Sequence, residues 1–148
     1  MIKYHDESKE IHLTNNHISY IIKIFDNGRV GHLYFGKKIK RYHNFSHLLQ
    51  TGDRAMAIYQ KEREIDPSLQ YTKMEYPVYG TGDFRGPAIE IEQENGSRIT
   101  EFVYDGYKIY RGKKGLKGLP ALYVEDENEA ETLELYFKRQ CLWYFAYT

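Results

Sequence analysis

The chain has 148 residues, the size of one domain with a single hydrophobic core, and two full domains would not fit comfortably. Its 21 Lys and Arg balance its 21 Asp and Glu, so no long-range field gathers phosphate or anionic lipid, which argues against a nucleic-acid binder. Hydrophobic residues at 41% and charged residues at 28% match ordinary globular usage, and no apolar run is long enough to span a bilayer. Disorder and membrane insertion are therefore not expected. Aromatic residues reach 16%, with 15 tyrosines. Tyrosine suits a half-buried pleated surface, where the ring packs and the hydroxyl stays wet. One cysteine, Cys141, cannot form an internal disulfide, and the start Met1-Ile2-Lys3-Tyr4-His5-Asp6 has no apolar signal region, so a reducing, cytoplasmic setting is expected.

In chain order, residues 10–14 and 17–25 alternate, the second run with Ile18, Tyr20, Ile22 and Ile24 on one face. Asp26-Asn27-Gly28 supplies a tight reversal, and residues 29–35 resume alternation with Val30, His32 and Tyr34 opposite Leu33 and Phe35. The spacing predicts a hairpin. Residues 53–64 hold good helix formers and are stopped by Ile65-Asp66-Pro67-Ser68, which allows at most one short helix. Two prolines and three glycines make residues 76–87 a structured loop. A second hairpin is predicted from residues 88–93, the turn Glu94-Asn95-Gly96-Ser97 and a returning strand over 98–104, with Ile89 and Ile91 buried. Further short strands are expected over 107–110, 121–124 and 132–137. With no crossover helices, the fold class is all-β, an antiparallel β-sandwich in one domain over 1–148.

The residues that could carry chemistry are few. Glu90 and Glu92 leave one strand face roughly 6.5–7 Å apart, near a glycosidase spacing, but the alternation that buries the isoleucines turns both glutamates to solvent. Glu129 and Glu131 read the same way. His43 and His47 have the spacing of half a zinc site, yet they lack the glutamate of His-Glu-x-x-His and any cysteine pair, so no metal and no cofactor are expected. His32 reads as a hydrogen-bonded sheet residue, and Cys141 beside Leu142 and Trp143 as a small hydrophobe. Arg111, Lys113, Lys114 and Lys117 among glycines lack the phosphate-loop pattern and read as a solvated loop. Asp53-Arg54 and Asp83-Phe84-Arg85 each join an acceptor and a bidentate donor in a loop, which suits sugar hydroxyls, subunit contacts or an ion pair that fixes the loop.

The segment Tyr79-Gly80-Thr81-Gly82-Asp83-Phe84-Arg85-Gly86-Pro87-Ala88 resembles the Tyr-Gly-x-x-Asp-Phe-Arg-x-Pro-Ala signature of glycoside hydrolase family 36, the microbial α-galactosidases. Three more stretches resemble that family in the same order: Gly28, His32, Leu33, Tyr34 and Gly36; Gly112-Lys113 through Leu116, Gly118-Leu119-Pro120-Ala121 and Tyr123; and Glu129-Ala130-Glu131-Thr132-Leu133-Glu134. The tail from Gln140 departs from the family's alternating strand.

The resemblance implies an amino-terminal β-sandwich domain without the catalytic barrel that carries the family's nucleophile and acid/base. It implies no catalytic residue in this chain, α-galactosides such as melibiose or raffinose as the substrates of the full-length enzyme, and a homo-oligomer in which this domain shapes a sugar site. It also implies that Asp53, with Arg54, matches the family aspartate that reaches towards galactose, although Thr51-Gly52 replace the usual preceding residues and Arg63 is displaced. The rival readings are a free-standing carbohydrate-binding module using its tyrosines as platforms, and a small hydrolase using Glu90 and Glu92.

Overall fold

The computed structural model describes residues 1–40, 44–49, 72–80, 85–115, 117–120 and 129–139. Four strands, β1 (Ile2–His5), β2 (Glu10–Thr14), β3 (Ile18–Ile24) and β4 (Val30–Lys37), form an antiparallel sheet in the order β1-β2-β3-β4. The predicted first hairpin is β3 and β4. Its turn closes with the Gly28 N–H donating to the Phe25 carbonyl at 2.9 Å and the Phe25 N–H to the Arg29 carbonyl at 2.8 Å. Gly28 takes φ +79, where a side chain would be strained, and a Cβ there would lie 3.0 Å from Val103 Cβ, so glycine serves both the turn and its docking.

The second sheet is one antiparallel pair, β5 (Phe102–Arg111) and β6 (Glu131–Arg139). Tyr104, Leu133, Leu135 and Phe137 from this pair pack against Ile11, Ile22, Ile24 and Val30 of the four-stranded sheet. Two antiparallel sheets thus face each other across an aliphatic and aromatic core, the all-β sandwich expected from the alternation. Burial of each such aliphatic side chain stabilises the fold by roughly 1.5–3 kcal/mol. The outer face of the larger sheet has a second cluster, in which Ile21 and Leu33 are covered by Phe45.

Three details differ from the sequence reading. In β4, a register shift between Ile21 and Ile22 inserts one extra residue, so Leu33 and Tyr34 both face the outer cluster. Phe35 returns to the inner side, edge-on to Tyr20 with ring centroids 5.8 Å apart. Strict alternation cannot register a bulge.

The second predicted hairpin keeps its turn but not its strands. The Gly96 N–H donates to the Gln93 carbonyl at 2.8 Å and the Gln93 N–H to the Ser97 carbonyl at 2.9 Å. Residues 90–101 form no ladder, and Ile89 makes an isolated parallel bridge to Val78. Ile91 and Ile99 are exposed, so among the described residues no second layer covers the pair, and an unsupported two-stranded hairpin is marginal in water. Residues 102–104 instead begin β5, which runs on through the predicted 107–110 strand across an irregularity between Tyr104 and Gly106.

The third difference is β1, which the sequence reading did not assign. Residues 129–130 precede β6 outside any strand, while Glu131 opens it. The predicted helix over 53–64 and the strand over 121–124 lie outside the described residues. The described residues include the 3-10 turn Ser46–Leu48, and no helix among them is long and apolar enough to cross a membrane.

Candidate functional site

Two loop segments that flank the resembling motifs are fastened to opposite faces of the four-stranded sheet, each by a glutamate. On the outer face, Glu10 has no exposed surface. Both its carboxylate oxygens accept the Phe45 N–H, at 3.1 and 3.0 Å, and one accepts the Ser46 hydroxyl at 3.1 Å. Lys23 Nζ lies 3.8 Å from the same carboxylate and donates to Ser46 Oγ at 2.7 Å and to the Ser8 carbonyl at 2.9 Å. A buried carboxylate is tolerated only when hydrogen-bonded and paired, so detaching Asn44–Leu49 from this position would strand a charge. Phe45 seals the arrangement, its ring edge-on to His12 at 5.7 Å. His12 and Ser19 share a hydrogen bond of 2.9 Å beneath it.

On the inner face, Glu75 joins β3 and β4. The Tyr20 hydroxyl donates to one carboxylate oxygen, and His32 Nδ1 to the other at 2.7 Å. Backbone bonds run alongside, the His32 N–H to the Lys73 carbonyl at 2.8 Å and the Glu75 N–H to the Val30 carbonyl at 3.0 Å. This places residues 73–75 as a short edge addition to β4, with Gly31 bridged to Met74. Downstream, Tyr76 stacks on Phe137 at 5.6 Å, Val78 is buried, and the Ala88 N–H donates to the Pro77 carbonyl at 2.8 Å. Arg85 Nη2 closes the segment by donating to the Thr72 carbonyl at 2.7 Å.

Burial first, then the hydrogen bond to Glu75 and its charge, holds the Tyr20 phenol well above the ordinary tyrosine range. The folded chain keeps this proton where the unfolded chain has lost it. The associated stability is therefore complete below about pH 10 and declines as pH rises from there towards the folded value. Urea midpoints at about pH 9 and about pH 11 are expected to diverge less in Tyr20→Phe than in the unaltered chain. An equally steep alkaline loss in the variant would remove Tyr20 as its source.

The residues singled out from sequence are distributed as follows. Asp53, Arg54, Asp83, Phe84, His43 and Cys141 lie outside the described residues. Arg85 is fastened to Thr72 as above. Glu90 and Glu92 are both exposed and not on a strand, and Glu92 pairs with Arg98 at 3.0 Å, so they lack the desolvated setting a general acid needs. His47 is exposed on the 3-10 turn. Among the described residues no three His, Cys, Asp or Glu side chains group as a metal site. Lys113 and Lys114 are exposed, and Lys114 Nζ lies 5.3 Å from the centre of the Tyr110 ring.

Glu10 and Glu75 escaped the sequence reading because a glutamate in or beside a strand reads as solvent-facing. Their chemistry is positional. Each carboxylate is occupied by internal donors and they sit on opposite faces of the sheet, so they cannot form the pair about 5–5.5 Å apart that a retaining glycosidase uses.

The β-sandwich has counterparts among known proteins. The model of the glycosyl hydrolase family 36 N-terminal domain matches residues 28–142. The chain belongs to this family. The family 36 α-galactosidase AgaA of Geobacillus stearothermophilus is 39% identical over 134 residues, which is 90% of this chain and 18% of AgaA. Mel36A of Lactobacillus acidophilus is 36% identical over 135 residues, again 18% of its length. The solved α-galactosidase of Lactobacillus brevis superposes with a TM-score of 0.84 at 34% identity, covering 94% of this chain and 19% of that one. A variant of AgaA solved with raffinose superposes with a TM-score of 0.78 at 39% identity, covering 88% of this chain and 18% of AgaA. The chain thus spans less than a fifth of these family 36 enzymes, and its likeness to them is to their N-terminal domain.

Proposed function

We propose that this chain serves as the noncatalytic N-terminal domain of an α-galactosidase acting on terminal α-galactosides of the melibiose and raffinose type. The observation that carries this reading is the match to AgaA, which takes up 90% of this chain and only 18% of the enzyme. The structures of AgaA variants with raffinose and with stachyose support the substrate class. In this reading the domain contributes to assembly of a cytoplasmic homo-oligomer and to the shape of a sugar site, while the catalytic carboxylates belong to the barrel. Asp53 reaches the substrate and Arg54 supports it. The signature residues Asp83, Phe84 and Arg85 hold their loop.

The test is AgaA with residues 1–139 of this chain in place of its own N-terminal segment. Asp53→Ala in that enzyme removes a charge-assisted hydrogen bond to a sugar hydroxyl, worth roughly 1.5–3 kcal/mol, so kcat/KM for a chromogenic α-galactoside is expected to fall about tenfold or more. Unchanged kinetics would take Asp53 out of the sugar site. A folded but inactive exchange enzyme would contradict the domain assignment itself.

A further inference from the structure

We propose that the solvent-facing side of β5 and β6 binds a galactosyl unit: the Tyr136 ring is the platform for the sugar and the Glu134 carboxylate receives two of its hydroxyls. The choice of a galactosyl sugar rests on the substrate reading above, while the site uses neither Asp53 nor Arg54. Three observations carry it.

The first is a preorganised acceptor. In β6 the alternation turns Leu133, Leu135 and Phe137 to the core, which leaves Glu134 and Tyr136 on the opposite side. The Tyr110 hydroxyl donates to one Glu134 oxygen at 2.7 Å and the Tyr136 hydroxyl to the other at 2.8 Å. These two hydroxyls, Tyr110 first, hold the Glu134 carboxyl below the ordinary glutamate range, so it is ionised at neutral pH. Each carboxylate oxygen can accept two hydrogen bonds, and each is given one phenol, so a second place remains on both. A carboxylate already fixed in one orientation, with one acceptor position on each oxygen, suits a vicinal diol, and binding need not order it further.

The second is room beside an exposed ring. Tyr136 is 47% exposed, and the residue across from it in β5 is Gly106. A Cβ at Gly106 would meet no atom within 4 Å, so the space flanking the tyrosine is open. The Tyr110 ring, by contrast, has Lys108 Nζ and Lys114 Nζ at 5.8 and 5.3 Å from its centre, so it braces the carboxylate and leaves the stacking to Tyr136. An aromatic surface with a few fixed polar groups beside it is the usual make-up of a small-molecule site.

The third is the charge pattern, which decides among ligands. Glu134 at the centre repels a phosphate or carboxylate, while Lys108, across from it in β5, and Lys114 disfavour a cation. Acceptors and donors side by side with little net charge suit a neutral polyol, whose hydroxyls donate to the carboxylate and whose oxygens accept from the ammonium groups. Galactose presents its C3 and C4 hydroxyls as a cis pair at one edge and a patch of C–H groups on the face beside them. One such ring meets both the carboxylate and the phenol.

The experiment is a titration of this chain, all 148 residues, with raffinose, followed by amide chemical shifts. Saturable shifts centred on residues 106–110 and 132–136 are expected, with Kd on the order of 1–10 mM. Tyr136→Ala and Glu134→Gln are each expected to weaken binding about tenfold or more. Tyr79→Ala, which removes a comparably exposed tyrosine outside β5 and β6, and Asp53→Ala are expected to change it less than about twofold. Maltotriose, whose C3 and C4 hydroxyls are trans, is expected to bind at least about fivefold more weakly. If one of the two face variants does not fold, the other is read by the same criterion. Absence of saturation by raffinose, or binding that survives both face variants, overturns the proposal, as does loss of binding in Asp53→Ala alone. Equal affinity for maltotriose overturns the galactosyl assignment. An inactive exchange enzyme with raffinose still bound at this face places the failure in the domain reading and not in the site.

Discussion

Phe45→Ala is expected to lower the unfolding free energy of the chain by about 3–5 kcal/mol, the usual cost of removing a buried phenylalanine. Phe45 is 4% exposed and forms the lid of the outer cluster over Ile21 and Leu33. Its ring also shields His12 and the serine hydroxyl that His12 meets. The truncation would create a cavity with a polar floor. It would also open the Glu10 carboxylate to water and weaken the bonds that the Phe45 N–H and Ser46 hydroxyl make there. Urea denaturation measures the change directly, through the midpoint at constant slope. A loss below about 1 kcal/mol would show that the outer cluster contributes little and that the inner sandwich alone sustains the fold.

Gly31→Ala is expected to cost about 1–3 kcal/mol, the range found when a packed interior is overfilled. Gly31 lies in β4, and a Cβ there would stand 2.3 and 2.4 Å from two carbons of the Phe25 ring. Phe25 is 6% exposed, so its ring cannot swing aside without disturbing the turn that follows β3. Gly31 also bridges Met74, and any displacement of β4 reaches the edge segment that carries Glu75. The expected result is a lower urea midpoint together with faster amide exchange at Glu75. An unaltered midpoint would mean that Phe25 has room to relax.

The β3 and β4 hairpin was legible because two local signals agree: alternation over residues 17–25 and 29–35, and an Asp-Asn-Gly turn between them. The second hairpin was misread for the complementary reason. Asn95-Gly96 does form its turn, but ladder formation there depends on a covering layer that no local pattern reports, and Ile91 and Ile99 remain exposed. Strand β1 is too short for Ile2 and Tyr4 to establish a period. The bulge in β4 reverses the faces of Tyr34 and Phe35, which a strict two-residue period cannot foresee.

The fastening glutamates were illegible because their partners are distant in sequence. Glu10 meets the Phe45 N–H across a separation of 35 residues, and Tyr20 meets Glu75 across 55. Nothing near either glutamate distinguishes it from a solvent-facing strand carboxylate. Residue chemistry read Asp83, Phe84 and Arg85 only as a loop pairing an acceptor with a bidentate donor, and the family resemblance alone marked them as a signature. Its described member, Arg85, donates to the Thr72 carbonyl. A tyrosine-rich alternating sequence without crossover helices was enough to give the all-β class, because these signals follow from composition and period alone.

The most direct measurement compares α-galactoside hydrolysis by three purified proteins: this chain alone, AgaA without its N-terminal segment, and AgaA carrying residues 1–139 of this chain in that segment's place. The proposed function predicts turnover by the third only, because in that reading the chain supplies positioning and assembly while the barrel supplies the reacting carboxylates. Turnover that co-purifies with the chain alone and is lost in Glu90→Gln, or full turnover by the enzyme lacking the segment, would contradict it.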